Sequence, residues 1–380
     1  MLFRSSLDFG PVVVNAAGQL SLTVTNLGGT AVSNGTAVVG GPPFSIFSGA
    51  TFSLPGFGKT NVAVRFQPTS VGSFTTTVVI ASANGGTLSN QAVGVGAIAP
   101  NAQFTATNTN GPVPLVATFT DTSTGTITNR FWNFGDGTTF ATNATVVSHT
   151  YPVGSSYNVS LTVSGPLGSN TRTQTNLIRA LALPLQIITP SSLSFGSVVV
   201  GQTNSLDFSV VNNGDLDLTG TATTAGPYQI ATPNPYIVPG HSTGTVSVSL
   251  IPIAPGTFNN NVAFNSNGGD STNAVTGVGL AAGQLGVTPG LLNFGVVATG
   301  ANSQMVFTVT NSGGSSVTNC NASATGGPFT IISPATFNLL AGASTNVSVR
   351  FAPVAPGDFT SAVVIASVNG GTTSNTVIGV

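Results

Sequence analysis

Leu7-Asp8-Phe9-Gly10, Leu193-Ser194-Phe195-Gly196 and Leu292-Asn293-Phe294-Gly295 are three copies of one stretch, and each leads to a Thr/Ser/Val-rich segment ending in Asn-x-Gly. Outward from them the match continues in the same order. Thr23-Val24-Thr25-Asn26-Leu27-Gly28 answers to Ser209-Val210-Val211-Asn212-Asn213-Gly214 and to Thr308-Val309-Thr310-Asn311-Ser312-Gly313. Gly41-Pro42-Pro43-Phe44 corresponds to Gly226-Pro227-Tyr228 and Gly327-Pro328-Phe329, and Arg65-Phe66-Gln67-Pro68 to Ser249-Leu250-Ile251-Pro252 and Arg350-Phe351-Ala352-Pro353. A Gly-x-Phe step recurs at Phe74, Phe258 and Phe359, and a closing turn at Asn84, Asn267 and Asn369. So many matched positions in one order mark an internal repeat.

Each copy reads as short strands. Leu20, Leu22 and Val24 alternate with Ser21, Thr23 and Thr25, the two-residue period of a strand with one face inward, and Asn26-Leu27-Gly28-Gly29 supplies a turn. Val62, Val64 and Phe66 alternate in the same way until Pro68, and Asn84-Gly85-Gly86 joins the last two strands. About seven strands per copy is the spacing of an immunoglobulin-like sandwich. Leu185 to Pro190 and Leu285 to Pro289 are expected to be the first strands of the second and third copies, where the first copy has only Met1-Leu2-Phe3-Arg4, a truncated first strand.

Composition supports strands and turns throughout. Of 380 residues 4% are charged, all eight acids are Asp, and Lys59 is the sole lysine, whereas Gly reaches 48 and Pro 23. Helix-forming Glu and Lys are thus almost missing, and essentially no helix is expected. A net charge of −1 offers no basic field for a nucleic-acid backbone or anionic lipid. Mean hydropathy is +0.37, yet no run of about 18 apolar residues is present to span a bilayer, so neither nucleic acid nor membrane insertion is expected. Cys320 is alone, which excludes an intramolecular disulfide and a cysteine-rich metal site, and reads as a small buried thiol. Met1 to Ser6 lacks the apolar core of a signal peptide, so the chain reads as a fragment, or as a mature or recombinant form.

The three copies resemble the Hydin-like (ASH) immunoglobulin family and related repeats of large bacterial surface proteins. That resemblance implies a sandwich fold and a scaffold role and brings no active site. Between the first and second copies lies a different unit. It contains Phe119-Thr120-Asp121-Thr122-Ser123, Phe131-Trp132-Asn133-Phe134-Gly135-Asp136-Gly137, His149-Thr150-Tyr151-Pro152 and Tyr157-Asn158-Val159-Ser160-Leu161-Thr162-Val163. It resembles a PKD domain, which implies a sandwich that acts mostly outside cells as a spacer or adhesion module.

The expected architecture is therefore all-β: four tandem immunoglobulin-like β-sandwich domains in an extended rod, at 1–97, 98–183 (the PKD-like unit), 184–281 and 282–380. The joints, such as Gly96-Ala97-Ile98-Ala99-Pro100, are too short to be flexible tethers. With strands of about 33 Å, four sandwiches end to end would reach on the order of 150 Å.

No reacting constellation is legible. His149 and His241 lie in different domains, no Gly-x-Ser-x-Gly elbow precedes a helix, and the scattered Asp give no facing carboxylate pair. Trp132 is expected in the core, Asp136 on the backbone of its own turn, His149 as a structural histidine, and Asp215-Leu216-Asp217 as a solvated turn rather than a calcium site. Intramolecular Lys-Asn crosslinks are excluded beyond the first domain, which holds the sole lysine. Sequons at Asn34, Asn143, Asn158, Asn321 and Asn346 are at the level of chance in so Asn- and Thr-rich a chain. Phe, at 23, outnumbers Trp and Tyr, at one and four, which suits core filling over sugar platforms. No catalytic, cofactor-binding or metal-binding residue is expected, and no cofactor. The expected role is a non-enzymatic extracellular or cell-surface stalk or filament subunit whose partners are copies of itself, head to tail by strand addition or side by side. A cell-surface adhesin for glycan or protein and the accessory region of a secreted hydrolase are the alternatives.

Overall fold

The computed structural model describes residues 6–232 and 234–380. The expected truncated strand at Met1 to Arg4 lies outside them. Strands are the only regular elements among the described residues. Contacts divide the chain into two units, Met1–Leu183 and Pro184–Val380. Each unit holds two buried apolar clusters, one per sandwich.

In the first repeat one sheet runs, in spatial order, Ser6–Val13, Gly86–Ala97, Gly72–Ser82, Val32–Val39, Thr51–Leu54, and faces a sheet of Gly18–Thr25, Lys59–Phe66, Phe44–Ser48. That makes eight strands among the described residues of this repeat, rather than about seven. The apolar run from Phe44 to Leu54 breaks at Gly49, φ 78°, and its halves join different sheets, the sort of crossing that a left-handed glycine permits. In the second and third repeats the smaller sheet gains Gln186–Thr189 and Leu285–Thr288, the expected first strands, paired with Asn204–Asn212 and Ser303–Asn311. In the first repeat the outer edge of Gly18–Thr25 has no partner among the described residues.

The Leu-x-Phe-Gly stretch now has a physical meaning. Its strand pairs in parallel with the last strand of the same repeat, and the register jumps between Asp8 and Pro11 and between Ser194 and Ser197. The jump is a bulge, and the glycine inside it takes φ 59° at Gly10 and 63° at Gly196; Gly295, just past the paired strand of the third repeat, takes 65°. Leu7, Leu193 and Leu292 thereby point inward, and the following phenylalanine closes an aromatic group. Phe9 lies 5.8 Å from Phe44 and 5.6 Å from Phe66 between ring centroids, and Phe294 lies at the same distances from Phe329 and Phe351. Opposite these rings only glycine fits, because a Cβ on Gly94 or on Gly379 would stand 2.6 Å from Phe66 or Phe351.

The second sandwich packs Asn110–Pro112, Gly168–Leu181, Ser155–Gly165, Asn129–Asn133 and Thr139–Thr142 against Val146–Tyr151, Leu115–Asp121 and Phe104–Thr107. Trp132 is wholly buried at its centre, between Phe104 and Phe119, as expected. The joint before it is pinned: Ile98 donates its N–H to Thr126 Oγ1 and accepts one from the Thr126 amide.

Candidate functional site

Two kinds of place gather polar residues most closely, the repeat turns and one turn of the PKD-like sandwich. In the turns, asparagine replaces charge. Asn311 is fully buried; its Nδ2 donates to the carbonyls of Ser315, Leu339 and Leu340, and its Oδ1 accepts from Gly313 and Gln284. Asn212 does the same toward Leu216 and Val238, and accepts from Gly214 and Leu185. Asn26 holds Thr30, Pro55 and Gly28. An amide side chain fits because it brings two donors and an acceptor to a dry site without the desolvation cost of an ion.

A second set pins the closing hairpin to the opposite strand. Asn84, Asn267 and Asn369 accept from the amides of Ser33, Thr219 and Thr318 and donate to the carbonyls of Ala31, Asp217 and Ser316. These six bonds explain why Asn recurs at fixed places in each repeat. They are connections within a domain, and no ligand is implied.

The PKD-like turn is the closest thing to a chemical site. Asn133 and Asp136 close the turn by accepting from the amides of Gly135 and Thr138, as expected for Asp136. Asp136 Oδ2 also lies 2.6 Å from His149 Nε2, a pairing the sequence conceals because the two stand 13 residues apart on different strands and turns. The His149 ring stacks on Phe134 at 4.1 Å and meets Tyr151 edge-on at 4.7 Å. Burial raises the Asp136 carboxyl, but the bonds from Thr138 and His149 outweigh it and hold it below the ordinary value. Burial pushes Tyr151 well above the usual phenol range, so its hydroxyl stays protonated and donates to the Phe134 carbonyl.

An aspartate orienting a histidine is half of a nucleophilic triad, so the third member decides the matter. Thr138 Oγ1 lies 3.3 Å from His149 Nε2 but spends its proton on Asp136 Oδ1 at 2.6 Å, and Nε2 is already held by Asp136. No free acceptor nitrogen faces a hydroxyl there. Beside the turn runs an open cleft of about 200 Å³ lined by Phe134, Thr138, Thr139, Phe140, Ser148 and His149, where Phe140 is half exposed.

The remaining candidates fall where the fold needs them. Arg130 and Asp121 form a part-buried ion pair; burial raises the Asp121 carboxyl, while hydrogen bonds from Ser123 and Arg130 bring it below its ordinary value. Asp215 is not simply solvated, since His241 Nε2 lies 2.7 Å from its Oδ1. Cys320 is buried, which pushes its thiol up and away from reactivity. Among the described residues no group of three or more His, Cys, Asp or Glu could hold a metal ion, and no helix is long and apolar enough to cross a membrane.

Residues 97–180 match the family model of the PKD domain, and residues 283–379 match that of the HYDIN/CFA65/VesB-like Ig-like domain. No curated protein matches the chain. Solved structures similar to it include protocadherin gammaB7 EC3-6 (12% identity, all of this chain and 99% of that one, TM-score 0.41) and a PapD-like ASH domain of human CEP192 (14%, 26% and 86%, 0.24). A protein of unknown function from Porphyromonas gingivalis W83 is a third (11%, 51% and 98%, 0.23). Likenesses this distant carry no argument about activity. Tandem Ig-like and PKD domains are consistent with extracellular adhesion or structural roles.

Proposed function

We propose that the chain is a non-enzymatic structural protein of the cell exterior, a stalk or the subunit of a filament, with domain boundaries at 97/98, 183/184 and 281/282. The observation that carries this reading is the destination of its polar chemistry. The asparagine side chains of the repeat turns and the Asp136–His149 pair, the polar groups that the fold gathers most closely among the described residues, are spent on holding turns and hairpins. Self-assembly by strand addition is the finer part. Its support is the outer edge of Gly18–Thr25, unpaired among the described residues where Gln186–Thr189 and Leu285–Thr288 cover its two counterparts.

Electron microscopy of the purified chain over a concentration series tests assembly. Continuous fibres support a filament subunit; particles that stay separate at every concentration remove the filament and leave the stalk. One observation favours an adhesin as the second reading, the cleft beside His149 with Phe140 on its wall. A glycan array probed with the chain and with its Phe140→Ser variant tests it, and binding that the substitution abolishes would favour the adhesin.

A further inference from the structure

The three repeats share one tip turn, and the first has changed its chemistry. Phe57, His241 and Gly342 occupy the same place: the amides of Phe57 and His241 donate to the carbonyls of Gly28 and Gly214, that of Gly342 to Asn311, and the next residue closes the turn in all three. All are left-handed, with φ of 58°, 54° and 73°. Glycine is at ease there, and His241 is held by Asp215; phenylalanine has neither excuse and is a bulky residue in a conformation it avoids. Its ring nevertheless stands 75% exposed over Gly29, beside Leu27 at 59%. At Leu27's place the other repeats carry Asn213 and Ser312. The third repeat does show one exposed Leu340, at the place of Pro55, but no aromatic.

The opposite tip, where each repeat's last strand finishes, varies in the other direction. At two matched positions the first repeat has Pro11 and Thr69, the second Ser197 and Ile253, and the third Val296 and Val354, which are 86% and 87% exposed. Charge matches as well. Lys59, the sole lysine, pairs across from Thr25 beside Phe57, and Asp358 sits just before Phe359 at the valine tip. Both are exposed, and neither belongs to an ion pair among the described residues.

We infer that the Leu27–Phe57 tip of one copy docks on the Val296–Val354 tip of a second copy, with Lys59 facing Asp358. This rests on the self-assembly reading and places its contact at the sandwich tips. Strain kept at an exposed aromatic points to a use outside the domain. The charge pair orients the contact in a chain with few other charges. A tip-to-tip contact between two sandwiches is smaller than a standard interface of about 1,600 Å², so association is weak and concentration-dependent.

Sedimentation velocity of the chain over a concentration series, at low and at high salt, is the test. The unchanged chain should form multimers whose size grows with concentration. Phe57→Gly, which restores the residue of the third repeat, and the pair Val296→Ser with Val354→Thr should each weaken association at least tenfold. Lys59→Asp and Asp358→Lys should weaken it singly and restore it when both are made in one chain. A chain that stays monomeric throughout overturns the contact and the self-assembly reading together. Multimers that survive Phe57→Gly, or a double exchange that fails to restore them, overturn this contact alone and return the search to the edge of Gly18–Thr25.

Discussion

Replacing Asn311 by alanine removes a buried hub and tests whether amides rather than charges hold the repeats. The substitution strips two donors and an acceptor from a site with no exposure, leaving the Ser315 carbonyl and the Gly313 and Gln284 amides without their partner. At about 1 kcal/mol net for each of the four N–H groups involved, two of the side chain and one each of Gly313 and Gln284, the cost is about 4 kcal/mol, a large share of the 5–15 kcal/mol typical of a domain. For a domain of this size that lowers its midpoint by about 15–30 °C. Asn369→Ala is the internal control: it also loses bonds to Thr318 and Ser316, but on an exposed hairpin where water replaces them, at about 1 kcal/mol. Calorimetry of the whole chain reads both, with hydrogen exchange of the Ser303–Asn311 and Ser344–Phe351 amides assigning the shifted transition to the third repeat. If Asn311→Ala costs no more than Asn369→Ala, the buried amide is incidental and the reasoning fails.

Gly94→Ala should destabilise the first repeat by about 1–3 kcal/mol in the same calorimetry, since its Cβ would press on the Phe66 ring. Phe57→Gly should leave that repeat as stable as before or up to about 1 kcal/mol more so, because relief of the left-handed backbone is partly offset by the freedom glycine gains when unfolded; a clear loss would mean that the exposed ring supports its own domain. The PKD-like sandwich should hold its midpoint down to about pH 4.5 and lose it below. The Asp136 carboxyl lies under its ordinary 3.8 when folded, so its contribution is complete above that value and vanishes as the pH falls through the folded one. Asp136→Asn should make that acid limb shallower, leaving the share that Asp121 carries, and an unchanged limb would show that other carboxylates set it.

How much of this was legible depends on whether a residue acts through its neighbours in sequence or across the fold. The first strands of the second and third repeats were readable because Pro190 and Pro289 end alternating runs, and they form where expected. Trp132 was readable as core because its strand alternates. Asn26, Asn212 and Asn311 were readable only as turn residues: their sequence context gives the Asx turn to the glycine two residues on, but not the three-dimensional fact that Pro55, Val238 or Leu339 arrives from another strand to take the remaining proton. The His149–Asp136 pair was hidden for the same reason, and Phe57 because a phenylalanine between two glycines reads as an ordinary loop residue until its φ is known.

The repeats therefore separate two jobs that many domains combine. Turn closure is assigned to neutral amides, which neither titrate near neutral pH nor respond strongly to salt, so each sandwich is closed independently of the medium around it. With closure settled that way, the few side chains that differ in character between repeats are released from holding the fold. Leu27, Phe57, Val296 and Val354 are of this kind: each is exposed, each replaces a more polar or more compatible residue found at the same place in a sister repeat, and none has a core to serve. In an array whose interior positions are repeated so closely, what varies at the tips is where selection for contacts between domains would leave its mark, and the tips therefore add an argument for assembly to the one that rests on the edge of Gly18–Thr25.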